Sequence, residues 1–387
     1  MPAVFSPRSI PAFSPPLDRL VVRAALAKEA AWPRTGPGLA HAVTDAIGRP
    51  DATAQWVAEP AASLLGALRE RIGPDALIAA PAWGCAGLAS LPDGPVHWMQ
   101  PAHHRLDPGK SQVAEALAAG ARAIVLAPVA GDCAGLLGIA ELCRAHDALF
   151  VLDARGSAGG RVLDGSPALL GDLTLASLDG EPGPSPCPGA ILFGAPQVSN
   201  GRPGMSPGSH AVDLLRDSLR SEPRLHRLLR PPRRDPRSRA HGPAPSWAFA
   251  AAAARLQQSA LRASQRARHG KVLRDSIQWI EGVDLPLDPP GVQSAGGTLG
   301  LLVEHRDDVA DRLAALGVPS SVGGLWLAPP GAREGRAALV AARALSLPLL
   351  PFYRPVDLDF IGECLRKAAL GAKSAQNASS SASSTSH

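Results

Sequence analysis

Lysine is almost missing from this chain. Only Lys28, Lys110, Lys271, Lys367 and Lys373 occur in 387 residues, so the formal charge of +5 is carried almost wholly by arginine. No lysine lies between Lys110 and Lys271, which removes amine nucleophiles and Schiff-base formation from the middle of the sequence. Cysteine is sparse too. Cys85, Cys133, Cys143, Cys187 and Cys364 are odd in number, scattered and without metal-ligand spacing, a pattern of reduced core thiols rather than a disulfide framework or metal site. No apolar run is long enough to span a bilayer. The N-terminus, interrupted by Pro2, Pro7, Pro11, Pro15 and Pro16, has no continuous apolar stretch of the kind a secretory signal requires. These absences predict a cytoplasmic protein with no membrane segment.

What is present is a hydrophobic content of 45%, enough for a substantial core, in a chain longer than one usual domain. Residues 1–35 read as a Pro/Ser-rich arm with helical spacing over 17–31, ended by Pro33 and Pro37. Residues 36–245 read as a large α/β domain. Helices at 61–71, 113–119 and 134–145 alternate with apolar strands at 76–80, 123–126 and 149–152, which predicts right-handed crossovers and a mostly parallel sheet. Residues 246–370 read as a long Ala-rich linking helix (248–272) and a small C-terminal α+β domain. In that domain a strand at 298–303, a helix at 307–316, an apolar piece at 325–327 and a helix at 356–369 follow in order. Residues 371–387, rich in Ser and Ala, cannot bury enough apolar surface to order themselves and are expected to be a disordered tail.

The stretch 148–193 organises the rest. Its strand at 149–152 ends on Asp153 and a Gly-rich turn, and a second apolar run, 173–178, ends near Ser177. Polar groups at the carboxyl ends of such strands are where an open α/β sheet places its ligand. The loop that follows reads Asp179-Gly180-Glu181-Pro182-Gly183-Pro184 and offers no lysine or histidine. Asp153 suits either a ligand contact or a cap on the turn at 156–160, Ser177 a hydroxyl bonded to backbone, and Glu181 a solvated loop carboxylate. His103 and His104 with Asp107 do not make a metal site, because adjacent side chains on an extended loop point apart. The Arg-rich run over 224–239 lacks interleaved aromatics and reads as a solvated loop, so no nucleic acid is expected as a partner.

The order of segments resembles the DegT-type sugar aminotransferases, a family with the type I fold of pyridoxal-phosphate (PLP) enzymes, over roughly residues 50–370. Arg71-Ile72-Gly73-Pro74-Asp75-Ala76-Leu77-Ile78 is similar to the family's turn and strand "GIGPGDEVI". Asp147-Ala148-Leu149-Phe150-Val151-Leu152-Asp153-Ala154 is similar to "HGLxVIEDA", and Leu345-Ser346-Leu347-Pro348-Leu349 to "LSLPL". The resemblance implies a PLP-dependent transferase-like α/β domain with a small second domain, and places Asp153 on the residue that pairs with the pyridinium nitrogen and Ser177 on a phosphate-binding serine. Trp83 stands near the aromatic that stacks on the cofactor ring, whose own position falls near Cys85.

Other positions depart from the family. The Schiff-base lysine position falls at Pro182 or within a residue of it; a proline side chain cannot form an imine, and no lysine stands nearby. The phosphate-binding "SGT" turn falls on Ala58-Glu59-Pro60, the glutamine after the aspartate on Gly156, and the loop reaching a neighbouring subunit's cofactor on Gly242-Pro243-Ala244-Pro245-Ser246. The resemblance therefore implies a degenerate homologue: no covalently bound cofactor, no transaminase activity, Asp153, Ser177 and Trp83 as vestigial contacts. It also implies a homodimer, or a heterodimer with an active paralogue, in a sugar/polysaccharide or secondary-metabolite pathway, with a nucleotide sugar as possible ligand. The alternative is an active PLP-dependent aminotransferase acting on a nucleotide-linked keto-sugar.

Overall fold

The computed structural model describes residues 33, 35–84, 94–178, 180, 185, 187–195, 244, 246–286, 288–294, 296–322 and 325–384, with 325 and 376–384 described by their backbone alone. The helical spacing at 17–31 and the Arg-rich run at 224–239 lie outside these residues.

Thr35 opens helix α1 (Gly36–Ala46), its Oγ1 accepting the Gly38 N–H at 3.3 Å. Pro37, read from the sequence as ending an earlier helix, instead stands in the first turn of this one, where the missing N–H costs nothing. Strand β1 (Ala54–Val57), helix α2 (Pro60–Ile72), strands β2 (Ile78–Pro81), β3 (Trp83–Gly84) and β4 (Val96–Met99), helix α3 (Lys110–Ala118), strand β5 (Ala123–Leu126), helix α4 (Leu136–Ala145) and strands β6 (Leu149–Asp153), β7 (Arg161–Val162), β8 (Leu173–Ala176) and β9 (Ala190–Phe193) follow.

Seven of these strands form one sheet in the order β1-β9-β8-β6-β5-β2-β4. The five strands from β8 to β4 are mutually parallel, and β9 runs against both β8 and β1. The mostly parallel sheet expected from the strand–helix alternation is therefore present. Its strands read as continuous apolar runs because both faces are covered. Val125, Val151 and Leu175 turn to α2, with Leu64, Leu65 and Leu68, while Ile124, Leu126, Phe150 and Leu152 turn to the face lined by α1, α3 and α4. Each fully buried Leu, Ile or Phe of this kind contributes roughly 1.5–3 kcal/mol.

The Ala-rich stretch expected as one helix is two: α5 (Ser246–Leu256) and α6 (Ser259–Ile277), parted at Gln257 and Gln258. Ala248, Phe249, Ala252 and Ala253 of α5 pack in the core of the large domain, and Leu273 and Ile277 of α6 in the core of the small one. The chain must change direction between two cores, and no proline or glycine in the sequence marks the place. Strands β10 (Val283–Asp284), β11 (Val292–Gln293) and β12 (Thr298–Val303), helix α7 (Arg306–Ala315), strand β13 (Leu325–Trp326), helix α8 (Arg336–Arg343), strand β14 (Ala344–Pro348) and helix α9 (Pro355–Ser384) complete the chain.

A three-stranded antiparallel sheet, β10-β12-β14, carries Leu299, Leu301, Leu345 and Leu347 into a core shared with α6, α7 and α9. Helix α9 runs on to Ser384 through the segment expected to be a disordered tail. Its buried face extends to Ala372, and beyond Gly371 the sequence holds no glycine or proline up to Ser384 to stop the internal hydrogen-bond ladder. Among the described residues no helix is long and apolar enough to cross a membrane.

The two domains meet through backbone. β11 pairs with β7, and β13 with β3. Gly131, at φ +72, lies so close to Gly156 and Gly296 that a Cβ there would stand 2.5 Å from the Gly156 carbonyl and 2.7 Å from the Gly296 Cα. An apolar cluster including Ala82, Trp83, Leu106, Leu302 and Val340 seals the same junction.

Candidate functional site

The carboxyl ends of β6 and β8 lie side by side, with Asp153 opposite Leu175 in register and Ser177 two residues further on. Asp153 closes β6 with its side chain 3% exposed. Its carboxylate is held by one residue through three bonds: the Arg155 backbone N–H donates to Oδ1 at 3.2 Å, Arg155 Nε to Oδ1 at 2.9 Å and Nη2 to Oδ2 at 2.7 Å. The carboxylate therefore both caps the turn and accepts a two-pronged guanidinium, the strongest geometry available to such a pair. Ser177 is half-buried just beyond β8.

Helix α6 packs against Gly159 and Gly180, the described glycines that follow these strands. A Cβ at Gly159 would stand 2.7 Å from the Ala263 Cβ and 2.9 Å from Arg266 Nη2, and one at Gly180 2.6 Å from the Ser259 Cβ. Arg266, 2% exposed, reaches the Ala158 carbonyl at 3.4 Å.

A second polar cluster lies at the domain junction. Arg105 Nη2 donates to both oxygens of Asp132, whose Oδ1 also accepts the Ala134 N–H at 2.9 Å. Asp107 Oδ2 accepts the Val129 N–H at 2.9 Å, while its buried Oδ1 has no hydrogen-bond partner among the described residues. Burial pushes both carboxyls up, outweighing the nearby Arg105, and the charge of Asp132 pushes Asp107 further. Asp288 accepts from the Ser294 N–H and Oγ at 3.0 and 2.7 Å, and Ser294 Oγ accepts the Cys133 N–H at 2.9 Å. Burial beside these carboxylates raises the Cys133 thiol to about 12.

Neither a protein-family model nor a curated protein matches the sequence. Solved structures do. The chain is similar to the aminotransferase TlmJ from Streptoalloteichus hindustanus at 19% identity and a TM-score of 0.70, over 94% of this chain and 100% of that one. It is similar to a DegT DnrJ EryC1 StrS aminotransferase from Brucella abortus at 17% identity and a TM-score of 0.65, over 90% and 95% of the two chains. It is also similar to PseC from Helicobacter pylori, an aminotransferase involved in the biosynthesis of pseudoaminic acid, at 13% identity and a TM-score of 0.70, over 94% and 100%. The chain has the fold of the DegT-type sugar aminotransferases.

On this DegT-type fold the residues singled out from the sequence have separate fates. Asp153 and Ser177 come together at the strand ends. Trp83 is 2% exposed and packed in the apolar cluster between the domains, in β3, where it pairs in register with Trp326 of β13. Glu59 is exposed at the N-cap of α2 and its side chain does not cap the helix, and Pro60 in the first turn lacks an N–H. That helix start therefore presents a carboxylate and one donor fewer, an unfavourable place for phosphate.

Lys110, Lys271, Lys367 and Lys373 are all exposed. Pro182, Glu181 and Cys85 lie outside the described residues, as does most of the 242–246 loop. His103 and His104 are exposed, and no group of His, Cys, Asp or Glu among the described residues is arranged to hold a metal ion.

Arg155 was not singled out from the sequence. Its signal was the Asp-x-Arg spacing at a strand end, which returns a long side chain to the preceding carboxylate.

Proposed function

We propose that the chain is a DegT-type homologue without transaminase activity, serving in the cytoplasm as a binding or assembly partner in a sugar/polysaccharide or secondary-metabolite pathway. The observation that carries this reading is the condition of Asp153: its carboxylate is occupied by Arg155, in a sequence with no lysine from 111 to 270. A transaminase holds PLP as an imine on a lysine and uses that amine to move the proton. The residues present do not fit such a cofactor. The described lysines are solvent-facing, the carboxylate for the ring nitrogen is taken, Trp83 is packed in the apolar cluster between the domains, and Glu59-Pro60 opposes a phosphate.

The chain's own residues then act as a scaffold. Asp153 and Arg155 fix the end of β6, α6 packs against Gly159 and Gly180, and the surface that remains is available to a second copy or to a lysine-bearing relative. Cys133 and Cys143 are buried free thiols, which suits a reducing compartment.

The reading of an active aminotransferase on a nucleotide-linked keto-sugar has one observation in its favour: the likeness to sugar aminotransferases spans 90% or more of this chain, and Asp153 and Ser177 keep their places at the strand ends. Borohydride reduction of the purified protein with PLP separates the two. No pyridoxyl-lysine is expected, and a stoichiometric adduct on Lys110 or Lys271 would overturn the non-catalytic reading. Co-expression with a lysine-bearing relative, followed by sedimentation, tests the heterodimer.

A further inference from the structure

We propose that Arg155 is an internal occupant of the strand-end site: its guanidinium fills the place at Asp153 that a cationic ring N–H would need. The proposal rests on the non-catalytic reading and names the contact that closes the site to a pyridinium.

Asp153 is one of few buried acidic groups among the described residues, with its side chain 3% exposed. A carboxylate in that position requires a cation or several donors. Arg155 supplies both, through Nε at 2.9 Å, Nη2 at 2.7 Å and its own backbone N–H. The guanidinium does not lose its proton, and its planar fork matches the two oxygens. A pyridinium brings one N–H and one positive charge. To reach Asp153 it must break two charge-assisted bonds to make one, beside a displaced group of like charge.

The turn that delivers Arg155 is also fixed. A Cβ at Gly160 would stand 2.7 Å from Cys133 Sγ, and Gly159 lies under Ala263 and Arg266. The backbone therefore returns the same guanidinium to the same carboxylate.

The geometry makes Arg155 removable in a way that exposes its role. Arg155→Ala leaves a buried, unpaired carboxylate that a ring N–H can satisfy, whereas Arg155→Lys keeps a cation in reach. The test is PLP itself, titrated against wild type, R155A and R155K, read by cofactor absorbance and by the thermal midpoint, with borohydride reduction of each sample. R155A is expected to bind PLP reversibly at least about tenfold more tightly than wild type, with R155K close to wild type. Introducing Asp153→Asn into R155A should abolish the gain. Where R155A fails to fold, Arg155→Met, which keeps the apolar stem, is read by the same criteria. A folded R155A or R155M that binds PLP no better than wild type overturns the proposal. So does wild type that binds PLP reversibly and as tightly as R155A, and that result leaves the non-catalytic reading standing. A borohydride-trapped lysine adduct in wild type overturns that reading instead.

Discussion

Arg105 Nη2 donates to both carboxylate oxygens of Asp132 at the junction of the two domains, where the side chains are 19% and 10% exposed. Removing one partner of such a pair costs far more than the pair contributes, because the other charge stays buried. Arg105→Ala is expected to lower stability by about 3 kcal/mol, the low end for a buried pair since Arg105 keeps some solvent. Urea unfolding measures this loss. The double variant R105M/D132N should recover part of it, and a double variant no better than R105A would show that packing, not charge, holds the junction.

Asp107 gives the protein a pH dependence of unusual sign. Its carboxyl sits above the ordinary value of 3.8 because it is buried and faces Asp132, so the folded chain binds the proton more tightly than the unfolded one. The stabilisation is fully present below the unfolded value and is lost as pH rises through the raised one. Between about pH 4 and neutrality, wild type should therefore lose stability relative to Asp107→Asn. Melts across that range decide the matter, and parallel curves for the two proteins would rule out Asp107 as the titrating group.

Thiol chemistry should separate folded from unfolded chain. Cys133 and Cys143 are buried with thiols raised to about 12, so neither supplies thiolate near neutral pH. A disulfide reagent at about pH 8 is expected to leave both unmodified in the native protein and to label them after denaturation. Peptide mapping identifies the sites, and native labelling of Cys133 would mean that the junction opens.

Gly131 tests the fit between the domains. Its φ of +72 and the carbonyl of Gly156 only 2.5 Å from where a Cβ would be exclude any side chain without movement. Gly131→Ala is expected to cost about 2–3 kcal/mol, whereas Ala at Gly66 in α2, where nothing lies within 4 Å, should stabilise by up to about 1 kcal/mol. Equal melting midpoints for the two variants would contradict the close approach.

Much of the sheet was legible in residue order. Ala123 to Leu126 and Leu149 to Leu152 read correctly as strands because a parallel strand buried on both faces is a plain apolar run. Val96 to Met99 gave no such signal: it is the edge strand β4, half-buried and carrying His97. The break at Gln257 was equally silent, since it answers to two separate cores rather than to a local breaker.

The same division runs through the site. Residue order alone placed Asp153 and Ser177 at strand ends and emptied the middle of the chain of lysine, because strand ends and residue types are local facts, while the pairing of β6 with β8 made those ends neighbours. What holds Asp153, and where the Trp83 ring lies, were decided by tertiary structure. An exposed arginine and one that clamps a buried carboxylate look alike in sequence, and they differ only in where the folded backbone carries the guanidinium.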